Sequence, residues 1–70
     1  MQRDAISDID RLALHMREFR LSAELPSVLR YEEVDPYPII GTLYVRKTAF
    51  IRLPRPPQRL RIVVLREEVR

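Results

Sequence analysis

Tyr44, Arg46, Phe50, Arg52, Arg59 and Arg61 lie within residues 44–61, where guanidinium groups alternate with aromatic rings and aliphatic side chains. On one face of a sheet, such a set suits single-stranded nucleic acid, because bases stack on rings while guanidinium groups take phosphates. Arginine and aromatic residues are also enriched where proteins meet. The preferred reading therefore has a second subunit or an acidic protein partner over the rings, with the arginines at its rim or paired with Glu32, Glu33 and Asp35.

The remaining candidates for chemistry are weaker. His15, the one histidine, falls at the edge of an apolar pattern and reads as a boundary packing residue. Glu32, Glu33 and Asp35 lack the spacing of a calcium loop and read as a solvated connection. Asp4, Asp8 and Asp10 stand among arginines and read as helix caps and solvated charge. "PRPPQR", residues 54–59, resembles a polyproline ligand, but its position between two predicted strands makes it a stiff connection. There is no cysteine nucleophile, no serine or threonine with an identifiable base, and only Gly41 to build a phosphate cradle. These residues predict a protein that is not an enzyme and uses no metal or cofactor.

Seventy residues allow one domain, and a chain of this length buries only about 60% of the surface that it exposes when unfolded. Without cysteine it has no disulfides to compensate. Oligomerisation or docking on a larger protein is the expected remedy. The net charge of +3 conceals a split: residues 1–35 carry five Arg and eight acids, whereas residues 36–70 carry eight basic groups and two acids. An anionic partner for the basic part, or docking of one half on the other, follows. The first ten residues contain no apolar h-region, and no stretch approaches the roughly 18 apolar residues of a membrane span. The expectation is a cytoplasmic protein that does not engage membranes.

Several elements must position these groups. Ile6, Ile9, Leu12, Ala13, Met16, Phe19 and Ala23 share one face at helical spacing, which predicts a helix over about 4–25, capped near Asp4 or Ser7 and ended by Pro26. Leu14, Leu21 and Leu25 form a second, narrower stripe on that helix, unneeded by a single sheet, and are the expected protein interface. Residues 26–38 read as an extended connection that can hold one short strand at Val28–Tyr31. From 39 to 53 the period becomes two, which predicts one long strand bent near Arg46–Thr48 or two strands joined there, the lack of a glycine at that point favouring the bent strand. Strand 60–66 should return antiparallel against about 48–53, completing a basic β-hairpin. The expected fold class is α+β, an amphipathic helix on a small antiparallel sheet in the order α-β-β. The expected function is a non-enzymatic, oligomeric protein-interaction module acting as a regulator or inhibitor, with nucleic-acid binding through the Arg/aromatic face as the alternative.

Overall fold

The computed structural model describes residues 11–67, and these form an all-β arrangement. Four strands, β1 (Ala13–Glu24), β2 (Val28–Glu33), β3 (Thr42–Arg46) and β4 (Arg59–Leu65), make one curled sheet in the order β3-β2-β1-β4. Every neighbouring pair is antiparallel. A four-residue 3-10 turn, Lys47–Phe50, follows β3. The α+β expectation is thereby corrected. No helix of seven or more residues occurs among the described residues, and most of the segment expected to be helical is the central strand β1; residues 4–10 of that segment lie outside the described residues.

The reason lies in which residues point inward. Phe19 opposes Leu60 on β4 and Leu21 opposes Tyr31 on β2, so alternate residues of β1 supply the core side. Arg17 occupies the same side opposite Ile62, which hides the apolar alternation from a sequence reading. Met16 and Phe19, which share a helical face, project to opposite sides of the strand: Met16 is exposed and Phe19 is fully buried. Pairing of β1 on both of its edges overrides its local helical pattern. Two register shifts, at Leu14 and at Ser22, bend this long strand.

Leu25, Pro26 and Ser27 close the β1–β2 hairpin, where the Leu25 N–H donates to the Val28 carbonyl at 2.9 Å. Proline thus ends a strand here, where a helix was expected to end. The strand expected within Val28–Tyr31 is present as β2, whose Leu29 and Tyr31 face inward and are fully buried. The long strand expected over 39–53 is reduced to Thr42–Arg46. Its alternation holds for those five residues, with Leu43 and Val45 half-buried and Thr42, Tyr44 and Arg46 exposed. At Lys47 the N–H donates to Ser27 at 3.1 Å, and the chain then leaves the sheet.

Residues 47–58 cross the inner face from β3 at one edge to β4 at the other. The Phe50 ring meets the edge of Tyr31 with centroids 6.4 Å apart. Leu21 donates its N–H to Gln58 at 2.8 Å. β4 coincides with the expected 60–66 strand over residues 60–65 but pairs with β1, not with 48–53. The expected hairpin is therefore a crossover. Its three prolines, Pro54, Pro56 and Pro57, lower the entropy lost in holding that path. Phe19, Leu29 and Tyr31 are the fully buried centre, flanked by half-buried Leu21, Leu43, Val45, Phe50, Leu60 and Ile62.

Candidate interaction surface

The face turned away from the crossover is built from cross-strand rows. Thr42, Glu32, Arg20 and Arg59 make one row over all four strands; Tyr44 stands opposite Arg30, and Glu18 opposite Arg61. Acids interrupt the arginines. Arg59 Nη1 lies 3.6 Å from Glu18 Oε2, and Arg30 Nε lies 3.4 Å from Glu32 Oε2. Arg30 Nε also donates to Ser22 Oγ at 3.1 Å, and Thr42 Oγ1 donates to Glu32 at 2.7 Å. Such exposed pairs add about 0–1 kcal/mol each but leave the face charge-mixed.

The residues expected to form one binding face are divided. Tyr44, 60% exposed, and Arg46 lie on this outer face on β3. Arg59 and Arg61 lie on the same face at the opposite edge, three strand spacings or about 14 Å away. Phe50 is on the inner side, packed on Tyr31, and Arg52 is exposed in the crossover just beyond. Phe50 thus belongs to the packing of the fold. The stripe of Leu14, Leu21 and Leu25 dissolves with the helix that defined it. Leu14 is exposed at a bulge, Leu21 packs inward against the core, and Leu25 is partly exposed in the hairpin turn.

A cluster at the end of the sheet joins Glu33 and Asp35 to Arg17 and corrects the reading of Glu33 as part of a solvated connection. Glu33 has a fully buried side chain that accepts the N–H groups of Ile40 at 2.8 Å, Gly41 at 2.9 Å and Ile39 at 3.2 Å. Arg17 Nε sits 3.4 Å from Glu33, while Arg17 Nη1 donates to Asp35 Oδ2 at 2.7 Å. Burial pushes the Glu33 carboxyl up; the three N–H groups and the Arg17 charge outweigh this and hold it below its ordinary value. Asp35 Oδ1 accepts from the Tyr37 N–H at 2.8 Å, and Gly41 adopts φ +87, a region that side chains disfavour. The two acids therefore brace the β2–β3 loop. The signal was the cation at position 17, two residues before Phe19 in a period-two frame, with acids grouped before "PYPIIG".

Beside this cluster, Met16, Arg17, Glu18, Val34 and Asp35 line a shallow groove of about 300 Å3. A second recess, of about 320 Å3, lies among Glu18, Arg59, Leu60 and Arg61. Neither collects a nucleophile with a base. His15 is exposed on β1, opposite Val64. No group of three metal-ligating side chains occurs among the described residues. Among the same residues, no helix is long and apolar enough to cross a membrane.

The sheet has two outer edges. Alternate residues of a strand direct their backbone groups to opposite sides. Lys47 reaches toward β2, so Arg46, Tyr44 and Thr42 direct theirs outward from β3. Arg66 donates to Leu12 on the β1 side, so Leu65, Val63, Arg61 and Arg59 direct theirs outward from β4. Neither edge meets a further strand among the described residues. Comparison of the chain with protein-family models, with curated proteins and with solved structures finds no match.

Proposed function

We propose that this chain is a non-enzymatic protein-interaction module of the cytoplasm, oligomeric and docked on a larger protein, which it regulates or inhibits by occupying a surface. The observation that carries the reading is an imbalance of apolar side chains. Among the described residues three are fully buried, while eleven large ones are exposed, among them Ile51 at 79% and Leu53 in the crossover. Single exposed apolar residues are ordinary; this many around so small a core support a surface that a partner covers. Two sheet edges that meet no further strand among the described residues add the backbone groups that strand-addition binding uses.

The test is capture from nuclease-treated extract of the source cells, using the full chain and an Ile51→Asp/Leu53→Asp variant. The expected result is one stoichiometric protein that survives a high-salt wash with the parent chain and is lost with the variant, while circular dichroism is unchanged. Absence of a stoichiometric protein with the parent chain overturns the reading.

Nucleic-acid binding is the second reading, favoured by Tyr44, an exposed ring beside Arg30 and Arg46. It retains one stacking ring, because Phe50 lies inside. Fluorescence anisotropy with labelled oligonucleotides decides it. Binding that falls steeply between about 50 and 200 mM salt and is lost in Tyr44→Ala supports it.

A further inference from the structure

We infer that β4 is a self-association strand, pairing antiparallel with β4 of a second copy about a two-fold axis at Ile62 and joining two sheets into one. This deepens the interaction-module reading by naming one partner, another copy of the chain, and the strand that receives it.

Four observations lead there. β4 is a seven-residue edge strand, "RLRIVVL", with no proline, lysine or bulge of its own, and its charged side chains, Arg59 and Arg61, are confined to its first three residues. The backbone groups of Arg59, Arg61, Val63 and Leu65 point outward and meet no strand among the described residues. On the inner face Leu60, Ile62 and Val64 remain only half-buried. Laid against its own reverse about Ile62, the strand sets no two charges directly opposite each other.

Centred on Ile62, the pairing sets Arg61 opposite the partner subunit's Val63 and Arg59 opposite the partner subunit's Leu65, and it uses the whole strand. The residues with outward backbone groups then face one another and exchange both N–H···O bonds at each such pair. Leu60, Ile62 and Val64 meet Val64, Ile62 and Leu60 of the partner subunit, which continues the apolar stripe beneath the crossover. A register centred on Arg61 instead puts like charges directly opposite. Within each protomer Glu18 stands opposite Arg61 and pairs with Arg59, so the arginines approach the join already partly neutralised. The other outer edge, β3, is two residues shorter and carries Tyr44 and Arg46.

The test combines sedimentation equilibrium with amide hydrogen exchange on the full chain. The expected result is a dimer in which the Arg61 and Val63 amides exchange as slowly as those of Ile62 and Val64. Val63 projects to the outer face, so two substitutions there change the join with little effect on the core. Val63→Lys sets lysine against the partner subunit's Arg61 and weakens the dimer; Val63→Glu sets a carboxylate there and tightens it. Each shift is roughly 2- to 30-fold in the dissociation constant, from two symmetric pairs. A monomer overturns the inference, as does a dimer with fast-exchanging Arg61 and Val63 amides or one indifferent to both substitutions. If such a chain still captures its protein through Ile51 and Leu53, docking on a larger protein survives while self-association through β4 fails.

Discussion

The Tyr31 hydroxyl donates a 2.8 Å hydrogen bond to the Pro57 carbonyl, so a fully buried ring of β2 holds the segment that returns the chain from β3 to β4. Tyr31→Phe keeps the ring and its edge contact with Phe50 and removes only that bond. The expected loss is about 1 kcal/mol, read as a lower urea midpoint with an unchanged slope. Burial, with a smaller contribution from the Glu24 charge, pushes the Tyr31 hydroxyl above its ordinary value of 10.0. The folded state therefore keeps a proton that the unfolded chain has lost, and stability falls as pH rises from about 10 through the raised value. Tyr31→Phe should remove this part of the alkaline loss.

Glu33 governs the opposite end of the pH range. Its carboxyl is held below the ordinary value of 4.5, so its contribution is present above that pH and disappears as pH falls through the lowered one. Glu33→Gln should flatten the acid limb of an unfolding curve and lower the midpoint at neutral pH. Proton exchange at Ile39, Ile40 and Gly41 should accelerate before the strands respond, because these amides lose their charged acceptor. An unchanged acid limb would show that Glu33 does not brace the loop.

Phe50 and Tyr44 lie in one alternating stretch of sequence but on different sides of the fold. Phe50→Ala should cost about 2 kcal/mol, since a half-buried ring leaves the Tyr31 edge. Tyr44→Ala should stay within about 0.5 kcal/mol, as expected at an exposed position. Thermal unfolding of the two variants checks the difference, and equal losses would contradict the placement of Phe50.

Parts of this arrangement are legible along the chain. The period-two pattern at Thr42–Arg46 and the inward set Leu60, Ile62 and Val64 match β3 and β4, because each is a short strand with one side toward the core. β1 is illegible for a different reason. Its inward positions mix Arg17 with Phe19 and Leu21, while Met16 lies outward, so no apolar alternation survives and helical spacing is imitated. The expected interface of Leu14, Leu21 and Leu25 fails with it, since residues that share a helix stripe are distributed over a bulge, the core side and the turn of one strand.

Composition and local pattern by themselves determined a small, cysteine-free, charge-divided domain with a marginal core, three of its strands and the turn at Pro26, because these depend on residue content and nearest neighbours. Tertiary structure alone decided that residues 13–24 form a central strand, that β4 returns to β1, and that Arg17 can sit on the core side. Those outcomes depend on partners far along the chain. Arg17 is tolerated inward because Glu33 and Asp35 are brought to it across the sheet, and β1 is extended because β2 and β4 satisfy both its edges. No window of adjacent residues contains those partners.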